Sequence, residues 1–123
     1  MTIVESIYNS IKGIIKLYTI TNSSGASVTL SSIGAGIIAI NVPDKDGVLN
    51  DVVLGYKNIT DYIYDGPCAG KTAGRYANRI ANGRLIVNNI EFALNTNCGP
   101  NSLHGGPEGF QNQNWESTIK DNK

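Results

Sequence analysis

The chain has 123 residues, ten Lys and Arg against ten Asp and Glu, and an apolar share of 41%. That is room for one modest globular domain, and the lack of net charge or of any like-charge run argues against nucleic acid or an anionic membrane as partner. No stretch is apolar for long enough to span a bilayer.

The opening, MTIVESIYNSIKGIIK, has no basic leader, and Glu5, Asn9, Ser10 and Lys12 interrupt its apolar positions. It makes a poor secretory signal and points to a cytoplasmic protein. Thr2 and Glu5 stand at capping-box spacing while Ile3, Ile7, Tyr8 and Ile11 recur near the helical period, which predicts a short N-terminal helix. From Ile14 onward the pattern changes to short β-rich runs, Ile14–Ile20, Ser27–Ile33, Ile37–Val42 and Val52–Leu54, parted by turn clusters at 22–25, 34–36 and 43–47. These runs predict an antiparallel meander.

Between Gly55 and Ile80 the alternation lapses, and Asn58 to Tyr62 reads as a turn or a single helical turn opening a long connection. The clearest hairpin is Arg84–Val87 with Ile90–Leu94 around Asn88-Asn89, because asparagine tolerates the left-handed backbone of a two-residue turn. Its second strand puts Ile90, Phe92 and Leu94 on one face and Glu91, Ala93 and Asn95 on the other.

Two patterns suggest nucleotide binding and both fail on context. Gly34 to Ala39 satisfies a loose dinucleotide fingerprint, but β-branched residues and Pro43 follow where a helix is required. Gly66 to Thr72 resembles a phosphate loop with one residue too few between its glycines and no apolar helix after it. Cys68 and Cys98 lack metal-ligand spacing and read as reduced thiols, and the sequon residues Asn22 and Asn58 read as turn asparagines.

Chemistry concentrates between Gly74 and Trp115. Glycine-rich turns there hold GRYANRIANGR, then the hairpin, then NTNCGPNSLHGGPEGF and QNQNW, with the only histidine and the only tryptophan of the chain. Arg79 offers a fixed fork of donors and Asn78 both a donor and an acceptor, a set suited to a ligand rich in hydroxyls. His104 precedes Gly105 and Gly106 in a loop where a ring nitrogen can reach a ligand. Arg75 and Arg84 read as surface residues, and Trp115 as either core or a brace for that loop.

The Asn78-Arg79 pair in GRYANRI, the NSLHGG loop after a hairpin and the following Trp115 resemble the aldose 1-epimerase (galactose mutarotase) family. The resemblance runs from about Ile14 to Trp115 and includes the segment YTITNSSGASVTLSSIGAGIIAINVPDKDGVLNDVVLGY. It implies an all-β fold, the leading part of a large antiparallel β-sandwich, in a single domain over residues 1–123 that is incomplete by family standards. It also implies that Asn78, Arg79 and His104 hold a hexose. In that family a second histidine is the general acid and a glutamate near the C-terminus the general base, opening and reclosing the sugar ring without metal or organic cofactor. This sequence has no second histidine, and Glu5, Glu91, Glu108 and Glu116 do not fall in the base motif, so no catalytic residue is identifiable. The expectation is the substrate-binding part of a mutarotase for a sugar such as galactose or glucose, inactive alone, which self-associates or takes a complementing C-terminal chain. A non-catalytic carbohydrate-binding module and a plain β interaction domain are the alternatives.

Overall fold

The computed structural model describes residues 1–120. Its first element is β1, Thr2–Ser10, paired antiparallel with β2, Gly13–Thr21, along its whole length from Thr2↔Thr21 to Ser10↔Gly13. The predicted N-terminal helix is therefore corrected to a strand. Thr2, Ile3, Val4 and Ile7 are β-branched and favour extended backbone, and the two-residue loop Ile11-Lys12 is closed by a bond from Ser10 Oγ to the Gly13 carbonyl, 2.8 Å. Glu5 does not cap a helix but faces Lys16 across the strands at 3.5 Å.

The sheet continues through β3, Ser27–Ser31, β4, Gly36–Pro43, and β5, Leu49–Asp51, in the order β1-β2-β3-β4-β5 with every neighbour antiparallel. The run Gly36–Pro43 is a strand, as its β-branched residues predict, and no helix follows the Gly34 turn. Val52–Leu54 is not a strand. The Asp51 carboxylate accepts from the Ile40 and Val53 amides, both at 3.0 Å, and so ends the ladder, leaving Leu49–Asp51 to pair with β4. Among the described residues there is no α-helix; the helical pieces are 3-10 turns at Ile59–Ile63, Ala81–Gly83 and Phe110–Asn112.

A bulge between the Thr29↔Ala39 and Leu30↔Ile37 pairs leaves Ile38 without a strand partner, and it packs on the core. That core is Ile15, Ile33 and Tyr62, each no more than 1% exposed, with Leu17, Tyr56, Ile59 and Ile63 packed against it. The 3-10 turn at Ile59–Ile63 thus covers one face of the sheet, and its anchor is Tyr62, whose hydroxyl accepts from the Tyr56 amide at 3.0 Å. Full burial of one such side chain stabilises by about 1.5–3 kcal/mol.

The other face carries a row at a single register, Ile3↔Ile20↔Val28↔Ile40, across four strands. Among the described residues this face is covered in part, by the segment after Asn114. There Trp115 to Ile119 run over Tyr18 and Leu30, and the Tyr18 hydroxyl donates to the Ser117 carbonyl at 3.2 Å.

The predicted hairpin is present as β7, Arg84–Val87, and β8, Ile90–Ala93, and Asn88 and Asn89 have φ of 51° and 62° as the turn demands. Ile90 and Phe92 remain 59% and 46% exposed on its apolar face. Asn22 and Asn58 are turn residues: Asn22 Oδ1 accepts from the Ser24 amide, and Asn58 precedes the 3-10 turn and reaches Asp61.

Candidate functional site

The hairpin β7–β8 carries the chain out from one loop and back to another, which lets two short strands meet. These are β6, Arg79–Ile80, and β9, Ser102–Leu103, paired antiparallel as Arg79↔Leu103 and Ile80↔Ser102. Asn78 stands just before β6 and His104 just after β9, so the ladder sets them side by side. Two bonds lock them: the Asn78 amide donates to His104 Nδ1 at 2.9 Å, and the His104 amide donates to the Asn78 carbonyl at 3.0 Å. Because a backbone N–H can only donate, Nδ1 is the unprotonated ring nitrogen, and the neutral ring carries its proton on Nε2. Both residues sit in the left-handed region, φ 67° for Asn78 and 54° for His104, a conformation seen at sites where the surrounding structure dictates the backbone.

Arg79 Nη1 donates to Asn78 Oδ1 at 3.3 Å. Among the described residues the Arg79 guanidinium forms no ion pair, whereas Arg84 is held by Glu91 and Arg75 lies over the Phe110 ring. Arg79 thus keeps most of its donors open to a ligand beside Asn78 and His104, while Arg75, whose donors are also free, lies at the groove on Phe110.

The three predicted residues form one patch, but on open surface and not in the shared depression that a bound sugar would suggest. Asn78 and Arg79 are exposed and His104 half-buried. The groove beside the ladder, about 510 Å³, is lined from its opposite face by Ile80, Ser102, Leu85 and Phe110 and by none of the three. Strand alternation explains this, since Arg79 and Leu103 turn to one side and Ile80 and Ser102 to the other.

A family model described as aldose 1-epimerase matches residues 16–123. The chain belongs to the aldose 1-epimerase family. It is similar to the galactose mutarotase of Sus scrofa, 41% identical over 95 residues that are 77% of this chain and 28% of that protein. The aldose 1-epimerase of Escherichia coli K12 is 38% identical over 101 residues, 82% of this chain and 29% of that one. The crystal structure of an aldose epimerase homologue from C. elegans matches 97% of this chain and 34% of its own, with TM-score 0.79 and 33% identity. That of galactose 1-epimerase from Lactobacillus acidophilus, at 22% identity and TM-score 0.74, agrees in fold. The chain thus spans about three tenths of the length of the curated relatives it matches.

Within this epimerase segment, the His104 loop is seated by a close backbone approach. A Cβ on Gly105 would stand 2.0 Å from the Gly74 carbonyl oxygen, and Gly105 has φ 89°, so only glycine fits there. The Phe110 amide donates to that same carbonyl at 3.1 Å. Trp115 is a brace and not a core residue: it is 38% exposed, its Nε1–H donates to the Phe110 carbonyl at 3.1 Å, and its ring meets Phe110 edge to face at 5.0 Å.

The anchor beneath this segment has no signature in the local sequence pattern. Lys71 and Asp65 form an ion pair whose side chains are 1% and 0% exposed. Asp65 also accepts from the Ala69 amide at 2.6 Å, while Thr72 N–H donates to the Gly34 carbonyl and Ile37 N–H to that of Gly70. With its ammonium buried on Asp65, Lys71 is not presented to a phosphate. Cys68 and Cys98 are half-buried free thiols, and burial, with the nearby Asp65 charge, pushes the Cys68 thiol above its ordinary range and keeps it protonated. Among the described residues no group of three His, Cys, Asp or Glu is placed to hold a metal, and no helix is long and apolar enough to cross a membrane.

Proposed function

We propose that this chain is the sugar-holding part of an aldose 1-epimerase, binding a hexose such as galactose or glucose through Asn78, Arg79 and His104. The observation that carries the reading is the reciprocal pair of bonds between Asn78 and His104, which joins residues 26 positions apart into one unit beside Arg79, whose guanidinium forms no ion pair among the described residues. In this reading the Arg79 fork and the His104 Nε2–H donate to sugar oxygens, and Asn78 contributes its carboxamide. The chemistry of ring opening needs a proton taken from the C1 hydroxyl and one given to the ring oxygen. His104 is the only histidine of the sequence, and its Nδ1 is engaged by Asn78, so in this reading the acid and base are supplied by further epimerase sequence.

The half-buried row Ile3, Ile20, Val28 and Ile40, which lines an open depression beside the Trp115 to Ile119 segment, is the surface proposed to receive that further sequence, since an apolar sheet face calls for a second layer. The relatives' much greater length supports this. A reducing, cytoplasmic setting suits the two free thiols and belongs to the same proposal.

Galactose titration followed by NMR on the isolated chain tests the holding role. Arg79→Ala is expected to weaken binding by about 1.5–3 kcal/mol, the scale of hydrogen bonds to a charged group. A folded wild-type chain that binds no hexose, or an Arg79→Ala variant that binds as well as the wild type, would refute the reading.

A further inference from the structure

Leu103 lies directly before His104 and opposite Arg79. The ladder bond beside that pair runs from the His104 amide to the Asn78 carbonyl, so Leu103 is in a non-hydrogen-bonded pair and its own N–H and C=O point away from β6. Among the described residues no third strand lies on that side, since β6 and β9 make a two-stranded ladder. Instead both groups meet the Asn97 side chain: the Leu103 amide donates to Oδ1 at 2.7 Å, and Nδ2 donates to the Leu103 carbonyl at 3.0 Å. A carboxamide presents a donor and an acceptor side by side as a peptide group does, which a hydroxyl or carboxylate cannot. Asn97 is itself held in a closed turn. Its amide and that of Cys98 both donate to the Asn101 carbonyl at 3.2 Å, and Asn101 Oδ1 accepts from the Asn82 amide on the far side of β6.

We infer that Asn97 is a positioning residue for His104. Its carboxamide acts as a substitute strand that fixes both peptide groups of Leu103, and the second of these is the peptide bond into His104. The ring is thereby kept where Nδ1 meets the Asn78 amide, leaving the Nε2 proton as the group offered outward. The placement of the ring stands on the geometry alone, and its consequence for sugar rests on the function proposed above.

The single histidine makes the test direct, because nitrogen NMR of the chain gives one pair of ring signals. The wild type is expected to give the pattern of one tautomer, protonated on Nε2. In Asn97→Ala the two signals should move towards the average of both tautomers and the Leu103 amide should exchange faster, while the amides of the β7–β8 hairpin stay as they were. Asn97→Asp keeps an acceptor for the Leu103 amide but loses the donor to its carbonyl. It should preserve Leu103 protection and shift the ring signals part-way, and it answers the question if the alanine variant does not fold. Galactose affinity should fall by about fivefold to tenfold in Asn97→Ala, as for one hydrogen bond. Unchanged ring signals in the folded variants, or a disturbance that reaches the hairpin equally, would overturn the assignment. If the ring signals move as stated but the wild type binds no galactose, the positioning role holds and the sugar reading falls.

Discussion

In polarimetry on freshly dissolved α-galactose, the isolated chain is expected to leave the rotation relaxing at the buffer rate. A positioned acid or base contributes about 10²–10⁴-fold to such a reaction, and the described residues put neither beside Arg79. His104 Nδ1 already accepts from the Asn78 amide, and among the described residues Arg79 has no carboxylate partner. If the function proposed above holds, adding the segment of the Escherichia coli relative beyond its 101 matched residues should raise the rate. The same preparation should self-associate without that segment. Val4 and Ile7 are each 59% exposed on the edge strand β1, which offers unpaired backbone groups alongside apolar side chains. Size-exclusion chromatography over a range of concentrations reads this out. A monodisperse monomer that speeds mutarotation, and stops doing so in His104→Ala, would mean that the chain holds a complete active site.

Replacing Asp65 by alanine is expected to be the most damaging single change to stability, lowering it by about 3–5 kcal/mol because a buried ammonium is left without its partner. Native domains have only about 5–15 kcal/mol in total. The loss should appear in urea unfolding as a lower midpoint with little change in slope. Exchanging both partners for apolar residues, Asp65→Leu with Lys71→Met, should recover most of it, since two well-packed apolar side chains avoid the cost of desolvating charge. A single variant with the wild-type midpoint would show that the pair contributes little. The consequence reaches the site, because the 65–72 loop that this pair closes is tied to the β3–β4 turn by the Thr72 and Ile37 amides and leads into Gly74 and Asn78. A loosened loop should therefore weaken sugar binding even at low urea, where the sheet is still folded.

Local chemistry made much of this protein legible in its sequence. The β-branched runs gave β2, β3 and β4, the Asn88-Asn89 pair gave the hairpin because asparagine accepts positive φ, and Pro43 with its β-branched neighbours removed the nucleotide reading of Gly34 to Ala39. The Asn78-Arg79 and LHGG motifs marked the residues that the β6–β9 ladder brings together. Other features depended on partners distant along the chain. Ile3, Ile7 and Ile11 satisfy a helical period as readily as an extended one, and only pairing with β2 decides for the strand. The Asp51 side chain, by taking the Ile40 amide, moved β5 back to Leu49–Asp51. Burial of Lys71 on Asp65, bracing of Phe110 by Trp115 and the exposure of Arg79 opposite the groove under Ile80 were likewise fixed by packing. Periodicity along a chain specifies backbone conformation, whereas register, burial and the direction a side chain faces are set by which other segment lies against it.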